Sequence, residues 1–593
     1  MVEDLSLPKL EPGKITVAGY LLRRIHQLGC RQVLSVPGDF TLAFLDYVVD
    51  PSSGLEYVGC ANELNAAYAA DGYARVKQGL AALVTTFGVG ELSALNGIAG
   101  SYSEHLPVLH IVGAPSTKLQ GNHALLHHTL GDGRFDVFST IGKLVTCSSA
   151  ILGAKSLASP SSISAEIDRV LVEMMTECRP GYISLPTDLV PLQIDAKPLE
   201  DELTPQSIHK HLTTSSVSEK MEDFVVNEIG KLFKASQRPI VLIDACAVRF
   251  GVQDLAKQLI EATDITFFTT PMGKSAIRED HPQFGGVYAG ATSEDSVQAH
   301  VEQADLTISL GEVLSDFNSG SFTYNIRPDQ EVKLHHGYTQ IQYATYKDVG
   351  FHTILPKLIK SLGAIAKSTK KEKIPRPENA GQVLEQPKEN SEIISQDYFW
   401  PTMGKFFQAG DIIIGETGTS SFGLLDVQFP PDAVFVSQVL WGSIGYTGGA
   451  VLGCSLAARE LGKKQRTLLF IGDGSLQLTA QEFSTVIRQD LHPIIFVLNN
   501  DGYAIERFIH GMEAKYNDIQ GWQWQKLLEL FGPKAGKTTS VRVSTRTELE
   551  ALIADASFAT LEQTRLVEVI LPKCDAPRAL RKQAELTAKA NAD

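Results

Sequence analysis

The chain is short of cysteine, of uninterrupted apolar runs and of positive charge, and each shortage removes a class of protein. Seven cysteines (Cys30, Cys60, Cys147, Cys178, Cys246, Cys454 and Cys574) are scattered through 593 residues. They lack the close pairing of a zinc site or a disulfide framework. Small buried thiols in a reducing compartment account for them, so a cytoplasmic protein is expected. No stretch approaches the roughly 18 uninterrupted apolar residues of a membrane span, and the opening MVEDLSLPKLEPGK has no basic segment leading into an apolar run. No membrane partner is expected. Lysine and arginine total 53 against 68 acidic residues, for a net charge of −15. A phosphate backbone is therefore a poor partner, and no nucleic-acid binding is expected.

What is present is ordinary globular material, 43% hydrophobic and 20% charged. A chain of 593 residues exceeds what one hydrophobic core usually holds, and three domains are expected. Short aliphatic runs ending in Gly, Pro, Asp or Asn recur before helical patterns: VLSVPG from Val33, LAALVTTFG from Leu80, PVLHIVGAP from Pro107, PIVLID from Pro239, LLFIGDG from Leu468 and PIIFVLNN from Pro493. This is the rhythm of buried parallel strands with crossover helices, so the fold class is α/β, each domain a mainly parallel sheet flanked by helices. A Pro-punctuated acidic connector from Leu189 to His209 and the polar stretch STKKEKIPRPENAGQVLEQPKENSEIIS from Ser368 to Ser395 divide the pattern. The expected blocks are an N-terminal domain over 1–190, a middle domain over 205–365, an exposed linker over 366–395 and a C-terminal domain over 396–593.

In sheets of this kind functional groups gather where strands end and helices begin. The run from Leu468 ends in Gly472-Asp473-Gly474-Ser475, and LQLTAQEFSTVIRQD follows as an expected amphipathic helix through Leu478, Phe483, Val486 and Ile487. The next strand ends in Asn499-Asn500-Asp501-Gly502. Asp473 offers a carboxylate oxygen, Asn500 an amide oxygen and Gly502 a carbonyl, a set suited to octahedral Mg²⁺ with phosphate oxygens and water. Gly474, Ser475 and the helix start would meet a diphosphate. Gly-Asp-Gly alone is a common turn. Joined to the aliphatic strand and NN, with Asp473 and Asn500 27 positions apart (500 minus 473), it resembles the signature of thiamine diphosphate enzymes.

That resemblance implies a carboxylate that protonates N1′ of the cofactor's pyrimidine. The segment ANELNAAYAADGYAR, from Ala61, is similar to the helix that carries it, with Glu63 at its start. The alternative for Glu63 is a helix-dipole contact alone. VPGDF from Val36, LLHHTLGDG with His127 and His128, ETGTS from Glu416, QVLWGSIG from Gln438 and GYAIE from Gly502 resemble the thiamine-diphosphate-dependent 2-oxo-acid decarboxylases, the fungal pyruvate decarboxylases in particular. The resemblance covers nearly the whole chain. It implies non-oxidative release of CO₂ and an aldehyde from a small 2-oxo acid, with thiamine diphosphate and Mg²⁺ as cofactors. Asp39, His127, His128 and Glu506 would handle the product proton, a task for groups whose pKa values are tuned by confinement. Thr417, Thr419, Gly442, Ser443 and Ile444 would contact the cofactor, Ile444 as a wedge beneath it. The alternatives are a turn or cap role for Asp39, structural histidines and a core place for Ile444. Adjacent histidines diverge in any regular element, so one of the two is expected to face the substrate.

Family likeness also implies a homodimer at least, and a homotetramer beyond it. Cys246 lies where some yeast-type members carry a substrate-activation cysteine, with Ala247 in place of a second cysteine; an inert buried thiol is the alternative. Ser421 and Phe508 depart from the yeast-type pattern near the expected pocket, which leaves phenylpyruvate, indolepyruvate and branched-chain acids as alternatives to pyruvate. The middle domain has no G-x-G-x-x-G opening a helix, against a flavin oxidase. A carboligase and an assembling relative without turnover complete the alternatives.

Overall fold

The aliphatic runs that end in turn residues do form buried strands. The computed structural model describes residues 7–153, 160–369, 371–372, 391–462 and 465–590. Gln32–Ser35, Ala81–Thr86, Val108–Ala114, Pro239–Ile243, Thr467–Gly472 and Ile494–Asn499 are the strands of the six runs. Each is buried along nearly its whole length, as a sheet covered on both faces requires.

Packing divides the chain into two compact units: Met1–His211 with Tyr446–Lys464 and Thr479–Leu491, and Leu212–Gly445 with Gln465–Leu478 and His492–Asp593. The first unit holds a six-stranded parallel sheet in the spatial order Glu56–Gly59, Gln32–Ser35, Ala81–Thr86, Val108–Ala114, Gly181–Pro186, Ser148–Ile151. Its helix Glu63–Lys77 is buried along most of its length and packs against Tyr446–Glu460 and Val89–Ser103. Between these helices Asp71 accepts from Arg75 at 2.7 Å, from Ser101 at 2.9 Å and from Tyr446. Arg75 also meets Glu104 at 3.3 Å, so the buried guanidinium has two carboxylate partners.

The second unit holds two sheets. Five parallel strands, Phe284–Val287, Thr266–Thr269, Pro239–Ile243, Leu306–Leu310 and Glu331–Leu334, end in the antiparallel strands Tyr338–Ile341 and Ala344–Lys347. The other sheet is wholly parallel, in the order Val434–Val436, Ile412–Gly415, Thr467–Gly472, Ile494–Asn499, Thr564–Ile570, Thr538–Val543. Its core stacks Phe470 on Phe496, with ring centroids 4.9 Å apart and planes 5° from parallel.

Numbered along the chain, this sheet and that of the first unit share one strand order, 2-1-3-4-6-5. In both, the order reverses between strands 1 and 3, where a crevice opens at the carboxyl ends and ligands bind in open α/β sheets.

Two connecting segments differ from the sequence expectation. The acidic connector contains Gln193–Asp195, which pairs antiparallel with Lys14–Thr16; a three-residue strand is too short to show a period. The helix Phe351–Ser368 carries residues 366–368, and Ile394 is fully buried, so both ends of the expected linker belong to folded structure. The middle of that linker, residues 373–390, lies outside the described residues.

Candidate active site

In the first unit the expected residues sit at the carboxyl ends of the sheet. Asp39 follows Gln32–Ser35, Glu63 follows Glu56–Gly59, and the histidine pair follows Val108–Ala114 and the short helix Thr117–Gly121. His127 Nε2 lies 2.7 Å from Asp39 Oδ2. The His127 ring stacks on Phe40 at 5.2 Å, and the His128 centroid is 4.6 Å from that of His127. Asp39, His127 and His128 thus form one cluster, with both imidazoles part of it. The pair occupies irregular backbone, with His128 at φ 66°, so alternation along a regular element does not apply. Packing holds that conformation: a Cβ on Gly88, at φ 70°, would lie 2.3 Å from the His128 carbonyl oxygen.

Glu91 lies beneath Gly88, and the sequence reading missed it. It accepts from the Gly88 N–H and from the Tyr182 hydroxyl, each at 2.8 Å. Burial pushes its carboxyl up to about 7. The sequence signal was its place three residues into a helix after Gly88, the spacing of a capping box.

Glu63 starts the helix Glu63–Lys77, as expected, and Asn62 caps it by accepting from Leu64 N at 2.8 Å. The turn before it is clamped by the segment Thr479–Leu491. Glu482, fully buried, accepts from Ala61 N at 3.3 Å, and Arg488 donates to the Gly59 carbonyl. Burial raises the Glu482 carboxyl above its ordinary range.

In the second unit, residues at the ends of adjacent strands bring together hard oxygen atoms. Asp473 accepts from Gly474 N at 2.9 Å and from Gly502 N at 3.2 Å. Burial lifts its carboxyl to about 6, and a bound cation would restore the carboxylate. The outer amide atom of Asn500 lies 3.0 Å from the Gly502 carbonyl oxygen and 3.2 Å from Asp473 Oδ1. Placed as nitrogen it donates to both; placed as oxygen it completes a cluster of three acceptors that only a cation reconciles. Cis oxygens of an octahedron about 2.1 Å from Mg²⁺ are about 3.0 Å apart, so this donor set fits the ion.

Gly502 is required for the cluster. At φ 123° its Cβ would lie 2.2 Å from the Asn517 carbonyl oxygen. Buried Arg507 secures the loop, donating to the carbonyls of Asp501, Met512 and Asn517 at 3.0 to 3.2 Å and to Asp518 at 2.7 Å. No sequence signal marked Arg507, because three of these four partners are backbone oxygens. Glu506 is exposed in the first turn of Ala504–Ile509.

The first strands of this sheet present a second loop pair. Thr417 donates to the Gln438 carbonyl at 3.0 Å, Gln438 Oε1 accepts from Ser443 N at 2.8 Å, and Glu416 accepts from Gly445 N at 3.0 Å. Gln438 Nε2 is buried without a partner among the described residues, a free donor in the loop that carries Gly442 and Ile444. Ile444 is only partly buried, so it is not a core residue, while Thr419 starts the helix Thr419–Leu425.

The expected amphipathic helix after Ser475 does not form as one unbroken helix. Asp473–Leu476 is a single turn that already includes Asp473; Thr479 leaves helical backbone at φ −138°, and the chain resumes with the 3-10 turn Ala480–Glu482 and the α-helix Phe483–Arg488. The break leaves Leu478 56% exposed and frees Glu482 to reach Ala61. One turn carries little macrodipole, so the turn's own N–H groups, with Gly474 and Ser475, are what could meet a diphosphate. Of the residues near the expected pocket, Ser421 donates to the Gly418 carbonyl at 3.1 Å, and Phe508 packs on the cluster of Phe422, Ala576, Ala579 and Leu580. Cys246 is fully buried in Ala245–Arg249.

Two sheets of one strand order, an Asn-capped glutamate and a hard-oxygen trio define a thiamine pyrophosphate enzyme. Family models agree: the thiamine pyrophosphate enzyme N-terminal TPP binding domain matches residues 15–133, the central domain 226–361 and the C-terminal TPP binding domain 415–569. Thiamine diphosphate with Mg²⁺ is its cofactor pair. The chain is 45% identical to a pyruvate decarboxylase of Kluyveromyces marxianus over 98% of its own length and 99% of the other. It is 46% identical to that of Candida albicans, over 98% and 100%, and 44% identical to that of Aspergillus fumigatus over the whole of both chains. The chain belongs to the pyruvate decarboxylase family.

Proposed function

We propose that this protein decarboxylates pyruvate without oxidation, releasing acetaldehyde and CO₂. The observation that carries the reading is the Asp39, His127 and His128 cluster, a set of proton-transfer groups in a chain whose second unit gathers a Mg²⁺-type oxygen set. A metal-dependent enzyme of the same fold that ran only oxidation would not need it.

Asp473, Asn500 and the Gly502 carbonyl hold Mg²⁺, and Gly474, Ser475, Thr417 and Thr419 the diphosphate end. Gly442, Ser443 and Ile444 seat the rings. When bound, the cofactor supplies an electron sink for cleavage of the bond to CO₂. The chain does the rest. Glu63 holds a proton at the pyrimidine N1′, and a Cβ on Gly90 would come within 3.1 Å of Glu63 Oε1, so Gly90 leaves that carboxylate its room. Asp39, His127, His128 and Glu506 deliver the one proton that replaces the departing CO₂. The hydrogen bond between His127 and Asp39 supports their acting as one unit.

The protein works in the cytoplasm as a homodimer at least, and as a homotetramer by family likeness, with its domains at 1–190, 205–365 and 396–593. Among the described residues no helix is long and apolar enough to cross a membrane. Exposed Val89, Leu125, Leu130 and Leu144 in the first unit support a second copy as their cover. Phe508 is committed to the cluster around Phe422, Ala576, Ala579 and Leu580, and a phenylpyruvate preference is the second reading.

The test is aldehyde and CO₂ release from a panel of 2-oxo acids, compared by kcat/KM, with Glu63→Gln alongside. Pyruvate is expected to lead, and Glu63→Gln to lose at least about a hundredfold in kcat, the lower range for an acid–base group. Full activity in that variant refutes the role of Glu63, and a leading aromatic acid refutes pyruvate.

A further inference from the structure

The first unit carries a donor set of a different kind from the oxygen trio around Asp473. Asp39, His127 and His128 each offer one ligand atom, and the three atoms lie within 4.8 Å of one another. Two imidazoles and a carboxylate suit Zn²⁺, Co²⁺, Ni²⁺ or Cu²⁺, whereas Mg²⁺ takes oxygen ligands and dehydrates reluctantly. The cofactor's hard cation therefore has no claim on this cluster.

The cluster is prearranged for such an ion. His127 Nε2 and Asp39 Oδ2 are hydrogen-bonded at 2.7 Å, a contact that an ion would replace by spreading the two atoms. Phe40 braces both rings, stacking on His127 at 5.2 Å and meeting His128 edge-on at 6.3 Å. The Gly88 contact fixes the backbone at His128. These contacts limit the motion of the two rings, which favours affinity. Neighbouring ligand atoms of a tetrahedral zinc site are about 3.4 Å apart, given bonds of about 2.0 to 2.1 Å. Reaching that value means opening the His127–Asp39 pair from 2.7 Å and drawing in separations of up to 4.8 Å, by rotation of exposed side chains. The His127 and Asp39 side chains are 57% and 47% exposed, so an ion can enter and water can complete its coordination.

We infer that Asp39, His127 and His128 form a binding site for a transition-metal ion, Zn²⁺ foremost, whose occupation inhibits the enzyme. A bound ion needs neutral imidazoles with their lone pairs directed to the metal and an ionised carboxylate, so it removes all three groups from proton delivery at once. The inhibition, though not the binding, rests on the function proposed above. It needs no cysteine.

Co²⁺ is the spectroscopic probe. Holoenzyme saturated with Mg²⁺ and thiamine diphosphate is titrated with Co²⁺, then with competing Zn²⁺. Visible d–d bands saturating at one ion per chain, without a thiolate charge-transfer band, are expected. Asp39→Asn and His128→Ala should each weaken Co²⁺ binding at least tenfold, while Cys574→Ser, which removes the exposed thiol, binds as wild type. In parallel, Zn²⁺ should inhibit turnover of the wild type over the concentration range in which it displaces Co²⁺.

Unchanged binding in both ligand variants, a thiolate band, or loss of binding in Cys574→Ser overturns the site. Binding without inhibition overturns its regulatory role. If pyruvate is not turned over at all while the cobalt titration behaves as described, the proposed reaction falls and the metal site stands.

Discussion

Glu91→Gln offers a quantitative test of the support beneath the histidine pair. Glu91 is 1% exposed, and its folded-state carboxyl titrates at about 7 instead of the ordinary 4.5. Desolvation is the main cause, opposed by the N–H of Gly88 and the hydroxyl of Tyr182. The fold therefore prefers the protonated carboxyl. Its contribution to stability is complete below about pH 4.5 and is lost as the pH rises through about 7, because the unfolded chain releases that proton first. A pKa difference of this size corresponds to about 3 kcal/mol, and about 2 to 3 kcal/mol of it develops between about pH 5 and pH 8.

Glutamine imitates the protonated form: its oxygen can accept from Gly88 and its nitrogen can donate to the Tyr182 oxygen. The stability of Glu91→Gln relative to wild type should rise by about 2 to 3 kcal/mol from about pH 5 to about pH 8, ending with the variant the more stable. Urea unfolding followed by circular dichroism at several pH values measures it, with the slope m compared between the two proteins. Parallel pH curves, or a variant less stable than wild type at the alkaline end, refute the assignment of a proton to buried Glu91.

Two further predictions concern one clamp in each compact unit. Gly502→Ala must relieve a 2.2 Å approach to the Asn517 carbonyl oxygen at φ 123°, strain of about 1 to 3 kcal/mol placed on a metal-holding carbonyl; Mg²⁺ affinity should fall tenfold or more in a magnesium titration of cofactor binding, and unchanged affinity would remove Gly502 from the ion site. Glu482→Ala leaves the Ala61 N–H without its acceptor in a buried turn, which should cost about 1 to 3 kcal/mol in urea unfolding, with Glu482→Gln costing less. Equal losses in the two variants would assign the effect to packing instead of the hydrogen bond.

The parts of the molecule written in local sequence were legible before the structure. Six aliphatic runs became six strands because burial on both faces demands unbroken apolar residues, and turn residues end them. Glu63 starts its helix because Asn62 precedes it. The unbroken helix after Ser475 was misread: its apolar spacing is helical, yet Thr479 leaves the helix and Glu482 goes to the Ala61 turn, a contact 421 positions away. Arg507 was overlooked for a related reason, since backbone carbonyls and Asp518 are its partners, whereas Glu91 did carry the capping-box spacing from Gly88 and only its bond to Tyr182 lay beyond a short pattern.

By itself the sequence determined the α/β class and most of the residue types that carry the chemistry, since hydrophobic period, caps and turn glycines act over a few residues. Only the tertiary structure decided how those residues meet. It set one strand order in two sheets, brought Asp39 to His127 across 88 positions, and put both histidines in one cluster through a left-handed His128 backed against Gly88. Such convergence depends on which loops the sheet brings side by side, and that is settled by packing between distant segments, not by any window of sequence.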